Sequence, residues 1–571
     1  MSSEGAELVF VDSVAEVENM LRWLGERRPV LAFDTETTGL DPWRDKIRLV
    51  QFGDAKTGWA LPYRDWRGVV RHVLETYEGP MVGWNVKFDC SMLEQDGLVT
   101  PRSQIHDGMI MAHLADSHGP KALKSASKRY VGAGADRGQM LLKAAFKKQR
   151  WDWATVPLDF EVYHQYAALD TVLTARTAES LWKQIQPYRE AYEQEMAVTW
   201  VLLDMEQRGA RVDVPYCEKQ NEELLGELGE IRDRWPDLNI LSSTQVMDVL
   251  KAAGFEFTKR TEKGNLALDE EVLAGIDHPL AADALRARKC DKWTSSYFGA
   301  YLRLEVDGIV HCNVNPLGAE KTGRMSISRP SMQNIPRLKM VRDAIIPREG
   351  NKLVLTDYQA QETRLIAHFA REQGMIDAFK ADVDIHNFVA TMVYSTPSED
   401  VTPVQRFRAK TCGHARNYGA KADRLAAAAG ISLTEGREFA RRYDKAFPGI
   451  HVFNSKVIRL VRERDEGGYG YVTSYGGRKI RVPVAHPYVG VNWLVQGSGS
   501  DVLKKGLVNL DRMGIAQFAI LPVHDETVFD IPTDSIEELL PMIHEAFEHK
   551  DISVPLPVET KIVDSWGQGY A

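Results

Sequence analysis

Asp34 and Glu36 stand one residue apart behind the apolar run Val30-Leu31-Ala32-Phe33. If that run is a buried strand, residues i and i+2 share a face, and both carboxylates point to one spot. Met81 to Asp89 reads as strand, turn and helix start, with Asn85 in the turn and Asp89 delivered behind it. Tyr166 and Asp170, four apart in a long amphipathic stretch, share a helix face. Four carboxylates and a tyrosine suit two hard, oxygen-liganded divalent cations about 3.5–4 Å apart. One would generate hydroxide, and the other would stabilise the leaving oxygen of a phosphodiester. Singly, each acid reads as a surface group or helix cap; the ordered set is what points to chemistry. His106, His113 and His118 form a looser group, more in keeping with core histidines than with a metal site.

The C-terminal half carries acids of the same kind. Leu353-Val354-Leu355-Thr356 reads as a buried strand ending at Asp357, and Leu521 to Phe529 as an apolar hairpin with His524, Asp525 and Glu526 at its crest. A carboxylate at the end of a core strand is costly to bury without a metal ion or a fixed positive charge. One such acid alone reads as a solvent-facing strand end, whereas two point to a shared metal site.

Between them, Arg406, Lys410, His414 and Tyr418 recur at every fourth residue. Four residues turn a helix by about 400°, so the row drifts only about 40° per step and stays on one face. Two cations followed by two flat rings suit a nucleoside triphosphate, with charges on phosphates and rings on sugar and base. Gly419 suits the close of that helix. Gly318 to Met325 imitates a phosphate loop, but Arg324-Met325 stands where Lys-Ser/Thr would be needed. Thr322-Gly323-Arg324-Met325-Ser326 with Gln333-Asn334-Ile335-Pro336 reads instead as a polar loop able to hold a nucleic-acid backbone. Tyr475 to Lys479 reads as a hairpin turn, and Asn492 and Gln496 lie four apart ahead of Gly497.

The elements that must position these groups fit a long, ordinary soluble chain. At 571 residues it exceeds one core, so two to four domains are expected. Leu49 to Gly53 and Gly58 to Leu61 read as further strands of the N-terminal sheet. Glu193 to Arg208 reads as a connecting helix broken at Gly209, and a helical stretch with a start at Ser242-Ser243-Thr244-Gln245 follows. No apolar run approaches the ~18 residues of a membrane span, and Met1-Ser2-Ser3-Glu4-Gly5 lacks a signal peptide's pattern. Five scattered cysteines, never paired as CxxC, fit free thiols in a reducing compartment. A net charge of −9 speaks against nucleic acid only if positive charge is dispersed, and six Lys/Arg against one acid cluster between Arg406 and Arg424.

Asp34-x-Glu36, Asn85-x-x-x-Asp89 and Tyr166-x-x-x-Asp170 resemble the three motifs of DEDDy-type 3′→5′ proofreading exonucleases. By that resemblance the acids hold metals and Tyr166 orients the attacking water. From about Val201 onward the chain resembles the polymerase domain of family A (DNA polymerase I-like) DNA polymerases. Asp357-Tyr358, Glu362 and Arg364 match motif A, Arg406, Lys410 and Tyr418-Gly419 match motif B, and His524-Asp525-Glu526 matches motif C. The resemblance implies an α/β and α+β multidomain chain, an RNase H-like exonuclease followed by a right-hand polymerase. The expected bounds are exonuclease 1–190, connector and thumb 191–310, palm 311–375 and 500–571, and fingers 376–499. Catalysis would rest on Asp357, Asp525 and Glu526 with Mg²⁺, two ions per site, or Mn²⁺ as substitute. Lys410 would protonate the leaving pyrophosphate. Arg406, Lys410, His414, Tyr418, Tyr358 and Glu362 would contact the dNTP, Glu362 excluding a ribose 2′-hydroxyl. Arg324, Gln333, Asn334, Asn492, Gln496, His524 and, in the exonuclease, Asn85 would contact DNA. Partners implied are primer-template DNA, single-stranded 3′ ends, dNTPs and replisome proteins, with no membrane. The chain is expected to be a monomer in the cytoplasm of a bacterial or phage-infected cell.

Departures from the family pattern are the Gln359-Ala360-Gln361 run after Tyr358, Thr363 in place of leucine, and His414 in place of Phe or Tyr. With the exonuclease motif beginning at residue 34, no 5′-nuclease domain is expected ahead of it, and a compact phage-type enzyme is the reading that fits. The alternatives are a nuclease with a degenerate polymerase scaffold, which should have lost Asp357, Lys410 or Asp525, and a non-catalytic subunit, which should have lost both acid sets. An RNA polymerase would not be expected to keep Glu362.

Overall fold

The computed structural model describes residues 5–132, 135–261, 263–335 and 338–570. β1 (Glu7–Phe10), β2 (Leu31–Thr37), β3 (Ile47–Gly53), β4 (Thr57–Pro62), β5 (Met81–Gly83) and β6 (Ile105–Asp107) form a mixed sheet in the order β1-β4-β3-β2-β5-β6. β2 pairs antiparallel with β3 and parallel with β5. β2 is apolar up to Phe33 and buried along nearly its whole length, as a strand covered on both faces must be. The helix Glu161–Ile185 lies across β3 and β4. It comes so close that a Cβ on Gly58 would collide with the Ala168 carbonyl, and one on Gly53 with Thr171. Glycines in those strands are what let the helix in.

Pro187 interrupts the chain in a short 3₁₀ turn before the helix Arg189–Arg208. This helix serves two cores. Met196 and Leu203 pack with the N-terminal sheet, while Val198, Leu202 and Met205 belong to a core that continues to Trp566. It ends at Gly209, with φ of +60°. In the helical stretch that follows, Ser242 accepts from the Gln245 amide and caps the helix Ser243–Ala252.

The C-terminal body is built on a four-stranded antiparallel sheet, ordered Ala519–Val523, Glu526–Pro532, Asn351–Tyr358, Val558–Val563. The central strand runs through Asp357 to Tyr358 rather than stopping at the acid, because Asp357 pairs with both Glu526 and Glu559. A helical layer includes Ile385–Tyr394, Pro403–Asn417 and Leu433–Ala446. Capping boxes start two of these helices, at Thr402 with Gln405 and at Ser432 with Glu435. The hairpin Tyr469–Thr473 and Lys479–Pro483 turns through Ser474 to Arg478, with Gly477 at φ +80°. Among the described residues no helix is long and apolar enough to cross a membrane. All five cysteines are buried thiols.

Candidate active sites

In the N-terminal body, carboxylate oxygens of Asp34, Glu36 and Asp170 lie within 4.8 Å of one another. The strand pitch of β2 and the close-packed helix Glu161–Ile185 bring them together. Thr35 points the other way and receives Asp89, whose Oδ1 accepts from the Thr35 amide at 3.0 Å and its hydroxyl at 2.6 Å. Asp89 is held there, outside the Asp34–Glu36–Asp170 trio but close enough to Asp34 for the two charges to repel. Burial raises Asp34 to about 7, against the pull of Lys124, and pushes Glu36 and Asp89 well above the carboxylate range, with Asp34 adding to both. Hard oxygen donors crowded and desolvated in this way fit divalent cations. Tyr166 is buried beside them. Asn85 sits exposed in a left-handed turn (φ +65°), held by the Asp107 carboxylate, which accepts from the Asn85 and Val86 amides.

The three histidines go separate ways. His106 Nδ1 meets the Tyr192 hydroxyl at 3.1 Å, His118 Nε2 meets the Arg481 carbonyl at 2.9 Å, and His113 is buried, its imidazole held neutral by burial and by Lys121. Lys124 gave no signal in the sequence, where it reads as one of several basic residues in an ordinary helix. In the structure its ammonium pairs with Asp170.

In the C-terminal body, Asp357 stands exposed opposite Glu526 in the ladder, so Asp525 is one residue from its cross-strand partner. The turn is sharp, with His524 at φ +59° and its Nε2 3.0 Å from the Gln333 carbonyl. Burial raises the Asp525 carboxyl; His524 and Arg324 oppose that, and Glu362 reinforces it. Arg324, Gln333, Glu362, Ser500, His524 and Asp525 are among the residues lining one open cleft of about 1060 Å³. Glu362 joins its walls. Oε1 accepts from Arg324 at 2.7 Å, Oε2 accepts from the Tyr418 hydroxyl, and His414 Nε2 is 4.0 Å away. The His414 and Tyr418 rings meet edge-on at 5.4 Å. Arg406 and Lys410 are exposed on the same helix, Arg406 pairing with Asp384 at 2.7 Å.

Two expected site residues are engaged elsewhere. Tyr358, expected at the nucleotide, follows Asp357 and so faces the opposite side of the sheet, into the core, where its hydroxyl donates to the Phe547 carbonyl and meets His549. Glu526, expected among the catalytic acids, is buried with both oxygens engaged. Oε1 accepts from Trp566 Nε1 at 2.9 Å and Oε2 from the Tyr570 hydroxyl at 2.6 Å. Gln333 folds back on its own loop, bonding the Ile327 amide and Met325 carbonyl, and Asn334 binds Ser331. Pro336 lies outside the described residues. Asn492 and Gln496 are half-exposed on the helix Val489–Arg512, which continues unbroken through Gly497.

A buried ionic quartet holds the Arg324 loop. Lys504 Nζ reaches both Glu195 oxygens at 2.7 Å and the Gly323 carbonyl at 2.9 Å, Ser500 donates to the same carbonyl, and Arg478 pairs with Asp501. Gly323 has φ +65°, and a Cβ there would strike the Arg478 guanidinium. The helix spacing of Ser500 and Lys504 was available in the sequence, but nothing there pairs them with Glu195, some three hundred residues earlier.

A family model described as DNA polymerase family A matches residues 215–568, and one described as 3′-5′ exonuclease matches residues 8–186. The DNA polymerase of Mycobacterium phage L5 is 26% identical, over 98% of this chain and 96% of that protein. DNA polymerase I of Pseudomonas aeruginosa is 26% identical over 98% of this chain and 66% of its own length. Among solved structures, the POL domain of Pol1 from M. smegmatis, in complex with DNA primer-template and dNTP, superposes with a TM-score of 0.80 at 22% identity, covering 98% of this chain and 99% of that one.

Proposed function

The chain belongs to DNA polymerase family A and carries a 3′–5′ exonuclease domain, and we propose that it synthesises DNA at the Asp357–Asp525 site and edits at the Asp34–Glu36–Asp170 site. The observation that carries this reading is the ladder register that sets Asp357 against Glu526 and so beside Asp525. We place the exonuclease at 1–190, the connector and thumb at 191–310, the palm at 311–375 and 500–571, and the fingers at 376–499.

Mg²⁺, with Mn²⁺ as a substitute, would be held by Asp357 and Asp525 in one site and by Asp34, Glu36, Asp89 and Asp170 in the other; when bound it activates the attacking oxygen and neutralises phosphate charge. Arg406 and Lys410 receive the triphosphate of a dNTP, Arg406 exchanging Asp384 for phosphate, and Lys410 supplies a proton to the departing pyrophosphate. Glu362, clamped by Arg324 and Tyr418, presents a fixed carboxylate where a 2′-hydroxyl would fall. Fixing that carboxylate is what makes it a barrier rather than a flexible side chain. Tyr418 and His414 pack beside the nascent pair. His524, Arg324, Gln333, Asn334, Asn492 and Gln496 line the path of the primer-template. Glu526 acts as a positioning residue, anchoring the last turn of the chain under the sheet through Trp566 and Tyr570. At the editing site Tyr166 orients the attacking water, Asp89 braces β2 through Thr35, and Asn85 meets the single-stranded 3′ end. Replication in a phage-infected or bacterial cytoplasm, as a monomer working beside replisome proteins, is the setting that fits.

Primer extension with matched and mismatched 3′ ends tests this. Asp525→Ala is expected to lose dNTP incorporation while still shortening a single-stranded oligonucleotide. Near-normal incorporation by that variant would sink the assignment.

A further inference from the structure

Lys124 stands on the helix Leu123–Tyr130, which packs against the helix bearing Tyr166 and Asp170. Its side chain is only 9% exposed. The ammonium pairs with Asp170, lies 4.4 Å from the centre of the Tyr166 ring, and feels the attraction of Asp34 and Glu36. A structural lysine ordinarily neutralises one buried acid. This one is surrounded by three acids and the tyrosine of the editing site.

Charge balance identifies what it meets during the reaction. With two divalent cations bound, Asp34, Glu36, Asp89 and Asp170 would all be ionised, and their four negative charges would be cancelled in full. A buried ammonium would then be in excess, a costly state unless another anion arrives. The anion that enters this site is the substrate's phosphodiester, with one negative charge, and Lys124 balances it.

We propose that Lys124 is a further catalytic residue of the exonuclease, its ammonium touching a non-bridging oxygen of the scissile phosphodiester. As water attacks, a new P–O bond forms, and the bond from phosphorus to the 3′ oxygen of the penultimate sugar breaks with its electron pair. The water's proton ends on that 3′ oxygen, and a nucleoside 5′-monophosphate leaves. The ammonium stabilises the charge that builds on the equatorial oxygens, a role whose removal typically costs 10²–10³ in rate. This rests on the assignment of Asp34, Glu36 and Asp170 to the exonuclease.

The test uses the full chain with Lys124→Gln, Lys124→Arg and Asp34→Ala. Single-turnover hydrolysis of a single-stranded oligonucleotide is followed as Mg²⁺ is raised to saturation. Mn²⁺ binding without DNA is read by electron paramagnetic resonance, and primer extension reports that the chain is folded. Lys124→Gln is expected to fall about 100-fold at saturating Mg²⁺, with Mn²⁺ bound as tightly as before or more so and Lys124→Arg recovering part of the rate. If Lys124→Gln reaches the wild-type rate once Mg²⁺ saturates, the ammonium is only a stand-in for the cation and the proposal is overturned. Weakened Mn²⁺ binding that excess metal repairs would overturn it too, making Lys124 a residue that orients the acids. Should Lys124→Gln lose primer extension as well, Lys124→Arg decides: a wild-type exonuclease rate below metal saturation as well as above it contradicts phosphate contact of fixed geometry, and a reduced rate at saturation supports it. Full exonuclease activity in Asp34→Ala would instead remove the underlying assignment, whatever Lys124 does.

Discussion

Replacing Lys504 with Met takes away the cation that satisfies both oxygens of Glu195 and donates to the Gly323 carbonyl. Lys504 is 0% and Glu195 2% exposed, and with Arg478 and Asp501 they make a neutral buried quartet. Burial drives the Lys504 ammonium down to about 8 even with Glu195 against it, so desolvation outweighs the attraction. In that regime, removing one partner is what costs, about 3–5 kcal/mol, because an uncompensated charge stays buried. Glu195→Leu should cost about as much, for the mirror reason. The double variant restores neutrality and should lose only about 2 kcal/mol, the Lys504 bond to the Gly323 carbonyl and the long Arg478 bond to Glu195. A double-mutant cycle by urea unfolding, followed by tryptophan fluorescence, should therefore show a coupling of several kcal/mol. The double variant should also extend primers less well while still degrading single strands, since the Arg324 loop keeps only Ser500 of the two side chains that hold the Gly323 carbonyl. Additive single-variant losses, or normal extension in the double variant, would refute the reasoning.

Tyr418→Phe removes one of the two donors that fix Glu362, a hydrogen bond to a charged group worth about 1.5–3 kcal/mol. Discrimination between a dNTP and its rNTP, measured by single-turnover insertion, should fall by about 10-fold or more; an unchanged ratio would take Tyr418 out of sugar selection. His549 is buried against Tyr358, and burial lowers its imidazole from 6.5 to about 4. The folded value lies below the unfolded one, so the stabilisation is present above pH 6.5 and is lost as pH falls toward 4, about 3 kcal/mol in all. His549→Gln should flatten that limb of the stability curve in urea titrations from pH 7 to 4, and identical slopes would exclude this histidine as its source.

Period and register carried much of the site. The pitch of a strand places Asp34 and Glu36 together, and a four-residue repeat places Arg406 to Tyr418 on one helix face; both are local properties that a sequence displays directly. The same strand pitch turns Tyr358 inward whenever Asp357 faces out, and it overrides the expectation that adjacent residues share one ligand. Glu526 lies on Asp357's face of the ladder, and only the fold shows that Trp566 and Tyr570 have already taken its oxygens. Lys124 and the Glu195–Lys504 pair were invisible for a related reason. A buried charge is recognised by its partner, and these partners come from helices that meet only after the chain has folded.

Two separable sites on one chain are best tested by assaying wild type, Asp357→Ala and Asp34→Ala in parallel, each for single-nucleotide primer extension and for single-strand 3′→5′ degradation with Mg²⁺. A double dissociation is predicted, with Asp357→Ala losing only extension and Asp34→Ala only degradation. Loss of both activities by either variant, or of neither, would contradict the account.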